Sequence, residues 1–206
     1  SELSAWVSQH RSQDRYVLLQ HGQFPIRIDV ASPERVGVDR LAAAVAANEL
    51  RAASRAALIV DAGTAVTVDA VSAEGVFLGG AILPGVRAAA ASLASSTEAL
   101  PEVDDADLAA APNPIGTSTR DAIRSGVVWG CVGAVKELLV RMTEQFDAPV
   151  DVFVTGGGGA QIAPLIGQAV RTEPDLVLRG IAFAGQREAV GFDDDPAFDD
   201  GRKTEV

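Results

Sequence analysis

Between Ala56 and Leu83 the chain sets three strand patterns end to end, and this stretch limits the fold more than any other. "AALIVDAG" (56–63) is an apolar run with the character of a buried strand. "TAVTVDAVS" (64–72) alternates apolar and polar side chains with period two. After the turn "AEG" (73–75) comes a third strand, "VFLGGAIL" (76–83). Connections this short join antiparallel neighbours, because a parallel crossover needs about a dozen residues or more. From Pro84 and Gly85 onward the pattern changes. A helix over 86–100 and an acidic, proline-bearing loop over 101–115 lead to a long helix over 118–146, which Ser118 or Thr119 caps. A strand runs from Val150 into "TGGGG" (155–159). A helix over 160–170, a strand "DLVLRG" (175–180) and a helix to Val190 follow. The order predicts an α/β layer fold: a mixed sheet, three antiparallel strands extended by parallel ones, with helices on both faces.

The N-terminal part is less regular. A short helix begins at Ser1 or Ser4. "RYVLLQ" (15–20) and "FPIRIDV" (24–30) read as extended, and residues 32–54 as a helix with Leu41, Val45 and Leu50 at helical spacing. Within the long helix, Gly126, Gly130 and Gly133 lie on or near one face. Each costs about 1 kcal/mol relative to alanine, so another backbone is expected close by. Residues 191–206 are acidic and turn-rich and read as a disordered, solvated tail.

The totals exclude several classes. The 206 residues suffice for a real core. A formal net charge of −11, with Lys136 and Lys203 the only lysines, disfavours nucleic acid. No apolar run approaches the roughly 18 residues that a membrane span needs, and the polar first residues do not resemble a signal peptide. The one cysteine, Cys131, rules out an internal disulfide and suits the cytoplasm.

Chemistry concentrates in four places. "DAGT" puts Asp61 at the tip of the first strand, ahead of Gly63 and Thr64. It reads as an ordinary hairpin turn, or as half of a cradle in which backbone amides and the Thr64 hydroxyl meet phosphate and a cation sits between phosphate and Asp61. "TGGGG" reads as a permissive turn, or as a backbone surface for a flat nucleoside. "GVDR" (37–40) places Asp39 beside Arg40, either as helix-terminal charges or as base and anion clamp. "GTST" (116–119) reads as a cap or as a substrate contact. Walker A, dinucleotide and nucleophile-elbow motifs are missing, and His10 and His21 are isolated. Cys131, in mid-helix, reads as a packed thiol.

In this order and combination, "PERVGVDRLAAAVAA", "LIVDAGTAVTVDAVS", "FLGGAILPG", "IGTSTRDAIRSGVVWG" and "VTGGGGAQI" resemble the type III pantothenate kinases, over roughly residues 26–189. The resemblance implies the actin-like, ribonuclease H-like kinase fold of the sugar kinase superfamily, two similar α/β halves with ATP in the cleft. It implies ATP-dependent phosphorylation of pantothenate, with Mg²⁺ and a monovalent cation, K⁺ or NH4⁺. By position, Asp39 resembles the general base, and Gly37, Val38, Arg40 and Thr119 the pantothenate contacts. Asp61 resembles the cation ligand. Gly63 and Thr64 resemble the ATP phosphate contacts, and Gly156 and Gly157 the adenosine motif. A homodimer, with no nucleic-acid or membrane partner, is implied as well. On this view residues 1–55 are the remainder of an N-terminal half, residues 56–190 are the C-terminal half, and the first half is truncated. The family's N-terminal Asp-x-Gly-Asn-Thr-like cradle has no match here, and Val30 stands where its members usually carry a tyrosine. A non-catalytic nucleotide-binding or regulatory relative is the alternative expectation.

Overall fold

The computed structural model describes residues 2–14, 16–104, 108, 110–167 and 169–190. The tail read as disordered lies outside them. The described strands form one six-stranded sheet in the order β1-β4-β3-β2-β5-β6. These are β1 (Arg27–Ile28), β2 (Ala56–Ala62), β3 (Ala65–Val71), β4 (Val76–Pro84), β5 (Val150–Thr155) and β6 (Arg171–Thr172). The expected meander is present: β2 pairs antiparallel with β3, and β3 with β4. Parallel strands extend it on both sides, β1 on β4, and β5 then β6 beyond β2.

The helices are α1 (Glu2–His10), α2 (Val38–Leu50), α3 (Val86–Ser96), α4 (Thr119–Thr143), α5 (Gly159–Ile166) and α6 (Leu176–Val190). Alternation along β2 divides the core. Ala57 and Ile59 face α2 and α6, with Leu41, Val45, Phe77, Leu176 and Ala184. Leu58, Val60 and Ala62 face α4 and α5, with Val132, Val135, Leu139 and Ile162. A run of seven consecutive residues of α2, Leu41 to Ala47, is buried, because the helix is wedged between the sheet and α6. Alanine allows that close approach, and so does Gly180 of α6. A Cβ at 180 would fall 1.8 Å from the Ala42 carbonyl oxygen.

Several expectations need correction. Residues 175–180 are not a strand but, from Leu176, the first turns of α6. Leu176, Gly180, Phe183 and Ala184 face α2 with period 3.6, a pattern that a six-residue window cannot reveal. The edge strand is instead Arg171–Thr172. Residues 16–20 form no strand, and extended pairing within 24–30 is confined to Arg27–Ile28. Helix α5 stops at Ile166 because Gly167 takes a left-handed φ of 79°. Residues 33–35 form a separate 3-10 turn ahead of α2. A Cβ at Gly126, Gly130 or Gly133 would meet nothing within 4 Å, so among the described residues no backbone packs closely on that face of α4. No described helix is long and apolar enough to cross a membrane.

Candidate functional site

The β2–β3 hairpin carries the site at its tip. Asp61 pairs in register with Thr67 of β3 and Thr155 of β5, and Ile59 pairs with Asp69. With Ile59 facing α2, period two puts Asp61, Thr67 and Asp69 on the α2 side of the sheet. The "GVDR" segment arrives there from above. Gly37 is the N-cap residue of α2 and gives no side-chain cap. Asp39 folds back over the first turn, where Oδ1 accepts the Arg40 amide at 2.9 Å. A Cβ at Gly37 would fall 2.4 Å from the same oxygen. Asp39 and Val38 remain exposed. Arg40 turns inward and donates from Nε to both Asp69 oxygens, at 3.0 and 3.2 Å, and from Nη2 to Oδ1.

Three carboxylates therefore share this side with one guanidinium. Burial pushes the Asp61 carboxyl above its ordinary value, and the charges of Asp39 and Asp69 push it further. Burial also lifts Asp69, opposed by its bonds to Arg40 and Thr67. Asp61 is half-buried and accepts no hydrogen bond among the described residues. A group in that position gains from a cation. No described set of three His, Cys, Asp or Glu side chains has the geometry of a metal cage. One carboxylate fits a weakly held monovalent ion, whereas Mg²⁺ is commonly held through substrate phosphates and one or two carboxylates.

The glycine loop locks onto the hairpin tip. Gly156 has φ +86°, and a Cβ there would fall 2.3 Å from Asp61 Oδ1 and 2.7 Å from the Ala62 carbonyl. The Gly158 amide donates to the Ala62 oxygen at 2.8 Å. From the third side, the Gly85 amide donates to the Thr64 oxygen at 3.0 Å.

A cavity of about 720 Å³ opens on the opposite side of the tip, toward α4. Gly63, Thr64 and Gly157 line it. Val66, Val86, Leu108 and Ile162 supply apolar wall, and Arg87 is the charged residue among the described lining residues. No neighbouring atom lies within 4 Å of a Cβ built at Gly157, so its backbone faces open space. Cys131 is also in this wall. It is buried, and burial pushes its thiol up, which agrees with a packed, protonated thiol.

The structure thus brings Gly37, Val38, Asp39, Arg40 and Asp61 to one flank of the hairpin, and Gly63, Thr64 and Gly157 to the other flank. Gly156 lies between them, packed on Asp61 and Ala62. Thr119 is elsewhere, exposed at the first residue of α4 beside its cap Ser118, whose Oγ accepts the Asp121 amide at 3.1 Å. No hydrogen bond among the described residues ties Thr119 to the Asp39 cluster. Asp69 and Arg87 are the residues that the sequence did not single out. Asp69 stood in the polar phase of an alternating strand, where a carboxylate reads as solvent-facing.

The family model for type III pantothenate kinase matches residues 2–141. The chain is 44% identical to the type III pantothenate kinase of Alkalilimnicola ehrlichii over 148 residues, which is 72% of this chain and 57% of that one. It is 36% identical to that of Zymomonas mobilis over 164 residues, 80% and 58% of the two chains. It is 42% identical to that of Rhodopirellula baltica over 172 residues, 81% and 60%. The matched part is therefore less than two thirds of these curated relatives' length. Among solved structures, one named for a Baf family transcriptional activator from Campylobacter jejuni superposes with a TM-score of 0.58 at 23% identity, covering 90% of this chain and 79% of that one. That likeness concerns the fold.

Proposed function

Because the chain belongs to the type III pantothenate kinase family, we propose that it serves ATP-dependent phosphorylation of pantothenate to 4'-phosphopantothenate, the first step of coenzyme A synthesis, in the cytoplasm. The observation that carries this reading is the hairpin tip. It separates a nucleotide-sized cavity on one side from Asp39, Arg40 and Asp61 on the other. A phosphate chain that crosses the tip from the cavity would reach the acceptor beside Asp39.

Each residue then has a role. Asp39, exposed at the start of α2, accepts the proton of the acceptor hydroxyl as its oxygen bonds to the γ-phosphorus and the bond to the β–γ bridging oxygen breaks. Arg40, with Gly37 and Val38, binds the acceptor. Gly63 and Thr64 present backbone and hydroxyl to the phosphates, and Arg87 adds positive charge from the wall. Gly157 leaves its backbone bare for the adenosine, and Gly156 packs the same turn onto the hairpin tip. Asp61 would hold K⁺ or NH4⁺, and the phosphates would hold Mg²⁺. Bound there, such cations would offset the negative charge that the three carboxylates place beside the phosphates. Catalysis of this kind is positioning and electrostatics, with no covalent intermediate.

A second copy of the chain is part of this reading. The bare glycine face of α4 leaves room for another helix at close range, and Thr119 at the head of α4 would reach an acceptor pocket from there. Neither nucleic acid nor membrane has a part in it. Residues 1–55 are read as belonging to a first α/β half and 56–190 as the second.

Pantothenate-dependent release of ADP tests the proposal. ADP that forms only when pantothenate is present supports it. Nucleotide binding with no pantothenate-dependent turnover contradicts it and supports a non-catalytic nucleotide-binding relative.

A further inference from the structure

Asp69 is 1% exposed, in the middle of a strand whose neighbours are apolar. A buried carboxylate is costly unless it is paired and hydrogen-bonded. This one is paired on every side. Arg40 meets both oxygens, and the Thr67 hydroxyl donates to Oδ2 at 3.0 Å. The guanidinium carbon lies 5.6 Å from the centroid of the Phe77 ring. Across the ladder stands Gly80, where a Cβ would fall 2.6 Å from Asp69 Oδ1 and 2.1 Å from the Val68 oxygen. Strands β3 and β4 thus form a slot shaped for one guanidinium. An apolar pair of similar volume would often be at least as stable there, so stability alone does not account for the charge.

The grip is side-on. It uses Nε and Nη2 and leaves Nη1 without a hydrogen bond among the described residues. An arginine held this way keeps one rigid donor edge for a planar anion. We infer that Asp69 is a positioning residue: it holds Arg40 so that Nη1 meets a carboxylate of the acceptor while the adjacent Asp39 meets the acceptor's hydroxyl. The inference rests on the acceptor reading above.

The test is calorimetric titration of the whole chain with pantothenate and with panthenol, which has the same hydroxyl but an alcohol in place of the carboxylate. Asp69→Asn is expected to weaken pantothenate binding about tenfold, the loss of one well-oriented charge-assisted contact, and to leave panthenol binding unchanged. Combining it with Arg40→Ala adds nothing to Arg40→Ala alone. Should Asp69→Asn fail to fold, Thr67→Val removes one hydrogen bond to Asp69 and is expected to weaken pantothenate selectively by about threefold. Equal weakening of both ligands marks a purely structural role and overturns the inference, and so does no change in either. If the wild-type chain binds no pantothenate, the acceptor reading fails and the inference with it. The Arg40 Nε–H resonance, shifted in the wild type and not in Asp69→Asn, then shows that the slot itself is intact and that the reading was at fault.

Discussion

The Gly156 backbone lies against the Asp61 carboxylate so closely that a Cβ on residue 156 would fall 2.3 Å from Asp61 Oδ1. The glycine loop and the hairpin tip are thereby one unit, with no room for a side chain between them. Gly156→Ala faces both this clash and a φ of +86°. It is expected to destabilise the fold by about 1–3 kcal/mol in urea unfolding and to weaken nucleotide binding as Asp61 is displaced. Gly157→Ala, at a position with open space, is expected to leave stability nearly unchanged and to weaken nucleotide binding alone.

Asp61 makes the ligand-free site sensitive to pH. Its carboxyl is raised by burial and by Asp39 and Asp69. A carboxyl raised in the folded state favours folding while protonated. Its contribution is complete below the ordinary value of 3.8 and is lost as pH rises through the raised folded value. Asp61→Asn, neutral throughout, is therefore expected to be more stable than wild type at pH 7. The difference shrinks toward pH 3.8 and below. Urea titrations at several pH values check this. The same variant is expected to lose its response to K⁺ in transfer.

Much of this arrangement was legible in the sequence, where short-range physics set it. The β2–β3–β4 meander followed from connections too short for crossovers, and the hairpin-tip position of Asp61 followed from the end of an apolar run. The parts that were not legible depend on what packs against a residue. The segment 175–180 reads as a strand locally because its link to α2 passes through Gly180 and Ala42, which a local window does not join. The role of Asp69 is hidden for the same reason. Its partner, Arg40, is 29 residues away, and only the assembled sheet shows that the carboxylate points inward.

Helix glycines therefore carry opposite expectations. Gly180→Ala forces a Cβ to within 1.8 Å of the Ala42 oxygen and is expected to cost about 1–3 kcal/mol or more by pushing α6 off α2. Gly130→Ala on α4 meets nothing within 4 Å among the described residues. In a dilute monomer it is expected to stabilise by up to about 1 kcal/mol through helix propensity. The dimer reading predicts weaker self-association of this variant in sedimentation.

Arg87, on the first turn of α3, is the charged residue among the described residues of the cavity wall, which Thr64 also lines. Arg87→Ala is expected to raise the KM for ATP about tenfold, as expected for a lost charge-assisted phosphate contact, with the KM for pantothenate little changed. Initial-rate kinetics with each substrate varied in turn check this split.

The most direct test of the whole account is mass-spectrometric detection of phosphate on pantothenate after incubation of the chain with ATP, Mg²⁺ and K⁺, beside Asp39→Asn and beside a reaction without K⁺. The account predicts 4'-phosphopantothenate with the wild type, a rate about 10²- to 10⁴-fold lower without the carboxylate base, and a marked loss without the monovalent cation. Phosphorylation that proceeds equally well with Asp39→Asn, or the absence of product from a chain that binds both substrates, would contradict it.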